Sequence, residues 1–316
     1  MDYLGISLKA TFELFILGGI GFLLIKRNIL NSDALDILSR LVVEVTLPLM
    51  IFSQLIKNFS FSQFPNWWVF PLMSLFISFF GFCVGVIFCL FLKEKAFRRQ
   101  FISLNAFQNS GYLPLVLVST ILPKEKLEIM FIYLFLFLLG FNFIIWSMGV
   151  YFLTGKQSKN FALANFFTPP VIATILSLIL VYLGLNRFIP NYIYKPLNML
   201  GESTLALAML VVGGNIAEVD LKKIDKTPIL LLILVKLIIL PLLGLLFIIK
   251  FRPDELIGLL LIIQLAVPSA TSLSLIIRHY EKGDLIISQG VFWTHIISLL
   301  TLPLFLSLYF NFYMIK

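Results

Sequence analysis

Long apolar runs, separated by short polar and charged stretches, follow one another along the whole chain. Each run is close to the roughly 20 residues that a helix needs to cross about 30 Å of hydrocarbon. The pattern therefore predicts an all-α membrane protein with ten transmembrane helices. We place these helices at residues 5–25, 38–56, 67–92, 101–122, 127–153, 168–185, 197–217, 228–249, 255–277 and 286–310.

Two of the ten runs, the fourth and the ninth, are interrupted by proline and by polar residues. The interruptions lie at 105–114 (NAFQNSGYLP) and 264–272 (QLAVPSATS). Hydrocarbon offers no hydrogen-bond partners, so the backbone freed by such a break must line a cavity or pack against protein. A pair of interrupted spans in corresponding positions of two halves is the best sequence indication of a transporter's binding site.

Composition agrees with the pattern and excludes a soluble protein. The chain is 60% hydrophobic and 13% charged, with 33 Phe among 316 residues, and its mean hydropathy is +1.01. A soluble domain is far less apolar than this. The net charge of +8 comes from Lys and Arg in short loops beside the apolar runs. That placement argues against a nucleic-acid partner and for contact with the lipid bilayer.

The same basic residues predict an orientation in the membrane. Loops on one side of the bundle hold 14 Lys and Arg, and loops on the other side hold 9. Basic loops remain in the cytoplasm, so the richer side is predicted to be cytoplasmic and both termini extracytoplasmic. The first residues lack the features of a removable signal peptide. We expect a multi-pass protein of the plasma (inner) membrane.

Matching segments in the two halves of the chain predict an internal repeat, although short apolar segments can also match by chance. The sequence 44–49 (EVTLPL) resembles 202–207 (ESTLAL), Pro71 and Pro228 begin corresponding runs, and Gln108 and Gln264 lie in the two broken runs. These landmarks predict two five-helix repeats, at 1–155 and 156–316. Because five crossings reverse the direction of the chain, the second repeat would be inverted relative to the first.

Polar side chains in the two broken runs are the candidate binding residues. Those of the fourth run follow the spacing i, i+3, i+4, i+7, which predicts one shared helical face. Each break would also leave a half-helix whose free N-terminal amides and positive dipole end attract a carboxylate. We predict that the substrate-binding site comprises Asn105, Gln108, Asn109, Gly111, Tyr112, Pro114, Gln264, Pro268, Ser269, Thr271 and Ser272.

Ionisable residues inside the runs are candidates for charge compensation or ion coupling, because such residues are costly in a membrane and usually functional. Lys236 lies near the middle of the eighth run, and either Glu44 or Glu202 is a candidate partner or proton acceptor. The alternative is that Lys236 packs its aliphatic stem and snorkels. His295 is either a group that titrates near neutral pH or a hydrogen-bonded packing residue.

Several segments together resemble a known family. They are 21–30 (GFLLIKRNIL), 38–48 (LSRLVVEVTLP), 109–114 (NSGYLP), 205–214 (LALAMLVVGG), 266–270 (AVPSA) and 298–303 (SLLTLP). In order and spacing the chain resembles bacterial members of the auxin efflux carrier family, within the superfamily of bile-acid and arsenite transporters. It departs from many relatives at Val116, where they carry a proline, and at Gln264 and Ser269, where an asparagine-rich crossing is usual.

The resemblance implies a fold and a mechanism. Helices 1, 2, 6 and 7 would form a scaffold, helices 3–5 and 8–10 a mobile transport unit, and the broken fourth and ninth helices would cross at the membrane midplane. Ligand would bind beside the crossing and move by an elevator-type, alternating-access mechanism. Small organic anions, auxin-like or malate-like carboxylates, are the implied substrates, and a homodimer through the scaffold helices is the implied assembly.

We therefore predict a secondary transporter of small organic anions that works as a uniporter or by proton coupling. The alternatives are a sodium-coupled bile-acid-type symporter and a non-transporting membrane sensor of a ligand. An enzyme is not expected, because the sequence lacks paired catalytic acids, metal-ligand spacing and a nucleotide-binding loop. Cys83 and Cys89 both lie in the third run, so neither a disulfide nor a metal site is predicted. No cofactor is expected.

Overall fold

Helices account for nearly all of the described residues, as the apolar runs predict. The computed structural model describes residues 3–154, 167–219, 221, 226–280 and 285–314, and no β-strand occurs among them. The boundary predicted between residues 155 and 156 lies outside the described residues, as do Lys156, Lys159, Lys222, Lys223, Lys282 and Lys316 of the orientation count.

Sixteen α-helices are present in the described residues. They are α1 Tyr3–Lys26, α2 Ser32–Leu41, α3 Leu47–Asn58, α4 Val69–Phe88, α5 Arg98–Ala106, α6 Tyr112–Ile121, α7 Lys124–Ile144, α8 Val150–Thr154, α9 Pro169–Tyr182, α10 Asn191–Glu202, α11 Thr204–Ala217, α12 Lys226–Leu234, α13 Leu240–Phe251, α14 Glu255–Ala266, α15 Ser272–Tyr280 and α16 Leu285–Met314.

Short π-helical and 3₁₀ segments join some of these helices. The π-helical segments Val42–Thr46, Ile145–Gly149 and Val235–Ile239 connect α2 to α3, α7 to α8 and α12 to α13. The 3₁₀ segments are Cys89–Phe91, Lys95–Phe97 and Leu185–Phe188.

The helices have the length and surface of membrane-spanning elements. Six continuous helical stretches are long and apolar enough to cross a bilayer, and they cover residues 3–26, 69–91, 124–153, 191–217, 226–251 and 285–313. Large apolar side chains also cover the outside of the bundle, for example Phe12, Phe76 and Leu300, each at least 65% exposed. A multi-pass, all-α membrane protein is therefore confirmed, whereas the number of ten spans stays a prediction.

Glycines allow a close approach between α1 and α11. A Cβ atom added to Gly213 would lie 1.8 Å from the carbonyl oxygen of Gly18, and one added to Gly21 would lie 2.2 Å from that of Leu210. Such contacts let two helix backbones touch, which is a common basis of helix association in membranes. Because glycine has no side chain, the backbones of α1 and α11 can pack directly against each other at these positions.

The two copies of the Glu-x-Thr-Leu motif lie at irregular points of neighbouring helices. Glu44 falls in the π-helical segment Val42–Thr46, and Glu202 ends α10 just before α11 begins at Thr204. The helices pack together here, because a Cβ atom on Gly201 would lie 2.7 Å from the backbone of Met50. The inverted five-helix repeat predicts such a meeting of matched segments, and the repeat itself stays a prediction.

Candidate functional site

Both predicted helix breaks exist, and each is a short extended segment between two half-helices. Helix α5 ends at Ala106 and α6 begins at Tyr112, while α14 ends at Ala266 and α15 begins at Ser272. Proline explains the second break, since Pro268 cannot donate a backbone hydrogen bond. The shared helical face predicted for the fourth run is wrong, because Gln108 lies in extended chain beyond the end of α5.

The two breaks cross and bind each other through the backbone. Gln108 and Ser269 form an antiparallel bridge. On either side of it, the amide of Asn109 donates to the carbonyl of Pro268 at 2.8 Å, and the amide of Ala270 donates to that of Phe107 at 2.9 Å. Backbone groups that have no partner within their own helices thus form hydrogen bonds with each other. This pairing allows non-helical chain to exist away from water.

Side chains complete the crossing by capping the C-terminal end of α5. The hydroxyl of Ser269 donates to the carbonyl of Leu104 at 2.7 Å, and Nζ of Lys236 donates to the carbonyl of Asn105 at 3.3 Å. Carbonyls in the last turn of a helix lack intrahelical partners and carry partial negative charge. Lys236, only 1% exposed, therefore places its ammonium against a negative helix end.

A cavity of about 310 Å³ lies beside the crossing. The first residues of α6 and α15, Tyr112 and Ser272, both contribute to its wall, as do the residues just before them. Two helix N-termini, each with partial positive charge, therefore end at this cavity. The lining residues are Ser39, Arg40, Val43, Glu44, Leu47, Gln108, Asn109, Ser110, Gly111, Tyr112, Leu138, Phe141, Asn142, Ile145, Trp146, Thr168, Pro170, Asn215, Ala270, Thr271 and Ser272.

The cavity wall at Asn109 is fixed by a buried histidine. Nδ1 of His295 lies 2.8 Å from the carbonyl oxygen of Val291, and its Nε2 lies 3.2 Å from the side-chain amide nitrogen of Asn109. A carbonyl only accepts, so Nδ1 carries the ring hydrogen and Nε2 accepts from Asn109. Neutral His295 therefore sets the direction of the Asn109 amide.

Several buried polar atoms at the crossing have no hydrogen-bond partner among the described residues. They are Oδ1 of Asn105, Nε2 of Gln108, Oγ of Ser110 and Oε1 of Gln264. Buried polar groups normally bind protein, water or ligand. Gln108 and Ser110 also belong to the residues that line the cavity.

Comparison with known proteins agrees with this architecture. The model of a family described as membrane transport protein matches residues 6–306. The chain belongs to this family, the auxin efflux carrier family. The predicted resemblance is therefore confirmed, and a transporter rather than an enzyme is consistent with it.

Three relatives illustrate the similarity of this transporter to other family members. It is 29% identical over 206 residues to an uncharacterised transporter of Methanocaldococcus jannaschii, covering 62% of this chain and 64% of the relative. It is 22% identical over 367 residues to PIN-LIKES 1 of Arabidopsis thaliana, covering 92% and 76%. PIN-LIKES 2 of the same plant is 30% identical over 112 residues, covering 34% and 24%. The matches with the archaeal transporter and PIN-LIKES 2 thus span less than two thirds of those proteins.

The transporter's predicted site residues separate into two groups in space. Those that line the cavity are Gln108, Asn109, Gly111, Tyr112, Thr271 and Ser272. Those that instead build or surround the crossing are Asn105, Pro114, Gln264, Pro268 and Ser269. For example, the Gln264 amide donates to the carbonyl of Ser110 at 3.3 Å, and the Asn105 amide donates within its own helix to Phe101 at 2.8 Å.

The predicted charged residues also occupy different places. Glu44 lines the cavity and pairs with Arg40 at 3.1 Å. Glu202 is exposed on α10 and accepts from Asn198 at 2.8 Å. The two candidate partners of Lys236 were therefore wrong, since neither carboxylate pairs with it and its hydrogen bond goes to a backbone carbonyl instead.

Sequence reasoning missed several lining residues, among them Arg40, Asn142, Trp146 and Asn215. Each is a single polar or aromatic residue within its run, without a neighbouring motif. Only Arg40 carried a signal, because it precedes Glu44 by four residues, the spacing of a helical ion pair.

Proposed function

We propose that the protein is a secondary transporter of small organic anions, and that the anion binds in the cavity beside the crossing. One observation carries the proposal: the N-termini of α6 and α15 both end at this cavity. A carboxylate there is attracted by two positive helix ends and can accept a hydrogen bond from the first amide of each helix.

Side chains of the cavity suit a carboxylate with an apolar or hydroxylated body. Gln108 and Asn109 offer amide groups, and Thr271 offers a hydroxyl. Tyr112 and Trp146 supply aromatic walls for the apolar part of the substrate. An auxin-like aromatic acid and a malate-like acid both match this set of groups, and the family resemblance supports the same two classes.

The position of the cavity supports an elevator-type mechanism. One wall comes from α2, the following π-helical segment, α9 and α11, which belong to the predicted scaffold. The other wall comes from α6, α7 and α15, which belong to the predicted transport unit. We propose that the second group carries the substrate past the first, so that the cavity opens to each side of the membrane in turn.

The predicted orientation assigns this conformation to the inward-facing state. The lining residues Ser39, Thr168 and Asn215 lie at those ends of their helices that adjoin the more basic loops. Since basic loops are cytoplasmic, we propose that the cavity opens to the cytoplasm and that both termini are extracytoplasmic in the plasma membrane. The cavity is then loaded from, or emptied into, the cytoplasm.

Lys236 favours a uniporter or a proton-coupled carrier over a sodium-coupled symporter. A coupling sodium ion needs several converging oxygen atoms, and crossing carbonyls are the natural source. Here the Lys236 ammonium already binds the carbonyl of Asn105. We propose that the Lys236 ammonium binds the crossing carbonyl that would otherwise coordinate a coupling sodium ion.

Replacement of Asn109 by alanine tests the site. We expect the Asn109→Ala variant to lose at least about tenfold of its anion uptake into proteoliposomes, because a buried hydrogen-bonding group is removed from the cavity (about 1–3 kcal/mol). Uptake of monocarboxylates, dicarboxylates and indole acids, with and without proton and sodium gradients, identifies the cargo and coupling.

Asn58→Ala is the matched control, because Asn58 bonds Gln54 on α3 and does not line the cavity. Both variants must elute from size exclusion as the wild type does. Full uptake by Asn109→Ala would remove this residue from the site. Binding of an acid by the wild type without any flux would favour a sensor over a carrier.

A further inference from the structure

Among the residues that the structure describes, the cavity wall holds one cation and one anion, and they are bound to each other. Arg40 and Glu44 are the charged members of the lining set, and Nε of Arg40 donates to Oε1 of Glu44 at 3.1 Å. The remaining lining residues are apolar, hydroxyl, amide or aromatic. An anion that enters this cavity therefore meets one full positive charge, already neutralised by a carboxylate.

This ion pair is weak enough for another anion to replace one partner. Its side chains are 74% and 50% exposed, and exposed pairs are weak because water solvates and screens both charges. The pair also uses only the Nε hydrogen of Arg40. A guanidinium has five N–H donors in a planar fork that matches a carboxylate, so most of the Arg40 donors remain available.

The backbone places the pair at an irregular turn. Arg40 lies in the last turn of α2, and Glu44 lies at the centre of the π-helical segment Val42–Thr46. A π-helical turn is wider than an α-helical one and is frequent at functional sites. Here it directs Arg40 and Glu44 to the same cavity as the crossing residues Asn109 and Thr271.

We propose that Arg40 selects carboxylates for this cavity, and that Glu44 occupies Arg40 until the carboxylate of the substrate displaces it. This inference rests on the proposed function and assigns its specificity. The exchange replaces one carboxylate by another, so Arg40 is paired in the empty and the loaded cavity alike. Glu44 thereby lowers the affinity for the substrate and speeds its release, which a carrier needs.

The test compares acids with their uncharged amides in binding measurements on the purified full-length protein. The probes are succinate and succinamide, and indole-3-acetate and indole-3-acetamide. We expect Arg40→Gln to weaken binding of the acid by at least about tenfold, as for loss of a charge-assisted hydrogen bond, while binding of the amide stays within about twofold. Discrimination between acid and amide should fall by the same factor.

Glu44→Gln tests the exchange separately, because it keeps Arg40 and removes its competitor. We expect this variant to bind the acid several-fold more tightly than the wild type and to release it more slowly. Arg27→Gln is the matched control, since Arg27 is an exposed cation on the same predicted side that does not line the cavity. It should leave both affinities unchanged.

The outcomes separate this inference from the proposed function. An unchanged ratio of acid to amide affinity in Arg40→Gln overturns the role of Arg40. Equal or weaker acid binding by Glu44→Gln overturns the exchange. If the wild type neither binds nor transports any acid, the proposed function fails together with the inference, whereas acid binding that both variants leave unchanged overturns the inference alone.

Discussion

Lys236 is a buried cation, and no carboxylate among the described residues forms an ion pair with it. Its ammonium has one hydrogen bond, to the carbonyl of Asn105. A cation at the centre of a membrane helix costs roughly 2.5–3.5 kcal/mol on insertion scales. The lost bond to a backbone carbonyl would cost about 1–3 kcal/mol. The cation is therefore not kept for stability alone.

Substitution by methionine tests this conclusion. We expect Lys236→Met to unfold at a temperature no lower than the wild type, since the apolar side chain has similar length and removes the desolvation cost. We also expect it to lose most anion flux, because the crossing loses its positive charge. Melting of the detergent-solubilised protein and uptake into proteoliposomes measure the two effects.

Lys250→Met is the control, since Lys250 is exposed at the end of α13. If Lys236→Met melts as predicted and transports normally, the lysine is a packing residue, as the alternative interpretation of the sequence holds. A large fall in melting temperature would contradict the energetic argument.

At the level of elements, close contact between α1 and α11 depends on glycine. Gly213 has no room for a side chain, because its Cβ atom would overlap the carbonyl oxygen of Gly18 on the facing helix. Gly19 is the neighbouring residue on α1, and a Cβ atom there would meet nothing within 4 Å. The same substitution at these two glycines therefore separates helix packing from helix propensity.

We expect Gly213→Ala to destabilise the protein by about 1–3 kcal/mol, because the helices must separate to admit the methyl group. Gly19→Ala should be neutral or slightly stabilising, since alanine is the better helix former. Thermal or denaturant unfolding of the purified variants measures both. Equal stability of the two variants would show that α1 and α11 tolerate a wider separation than this packing implies.

The helix breaks were predictable as elements, but their internal geometry was not. Proline, glycine and polar residues within apolar runs indicate an interruption from local chemistry alone. The end of α5 at Ala106 depends instead on the other break, which supplies backbone partners for Phe107 and Asn109. A helical spacing rule therefore failed for Gln108 and Asn109, which lie in the extended chain.

The π-helical segments were likewise not predictable from the sequence. Each holds a residue of interest: Glu44 and Trp146 at the cavity, and Lys236 at the crossing. Their sequences are ordinary apolar helix, so no local signal separates them from α-helix. We infer that packing around the site, rather than local propensity, widens these turns.

For the molecule as a whole, the central question is which helices move together. The proposed elevator divides the bundle between a scaffold and a transport unit, and α1 and α16 belong to different units. Tyr3 and Phe310 touch at this boundary, with ring centroids 6.1 Å apart. By contrast, Lys126 of α7 and Glu255 of α14 form an ion pair at 2.7 Å within the transport unit.

Cross-linking distinguishes these contacts. We expect a short thiol cross-link between Tyr3→Cys and Phe310→Cys to reduce flux by at least about tenfold, because it ties the moving unit to the scaffold. The same reagent between Lys126→Cys and Glu255→Cys should leave flux near the uncross-linked level. Proteoliposome uptake before and after cleavage of the linker measures both.

The background for this experiment is a variant in which the two native cysteines, Cys83 and Cys89, are replaced by alanine. Normal flux in the cross-linked Tyr3→Cys/Phe310→Cys protein would show that α1 and α16 move as one body. That result would overturn the division of helices while leaving the binding site intact. The homodimer through the scaffold remains a separate prediction.

The sequence by itself determined the class and the family, and it predicts where the site lies. Apolar runs of membrane length, two interrupted runs and ordered family segments are local properties, and they lead to a membrane transport family and to a predicted site at residues 105–114 and 264–272. Six of the eleven predicted site residues line the cavity. These features can be recognised in the sequence because hydrocarbon requires every membrane-spanning segment to satisfy its own backbone hydrogen bonds.

Only the tertiary structure decided which polar group meets which. Lys236 binds a carbonyl 131 residues away, and Asn109 meets His295 at a separation of 186 residues. The arginine that faces the cavity was overlooked because its neighbours in the chain resemble an ordinary helix end. A buried polar group forms hydrogen bonds with the groups that lie near it in space. The order of residues along the chain does not give those distances.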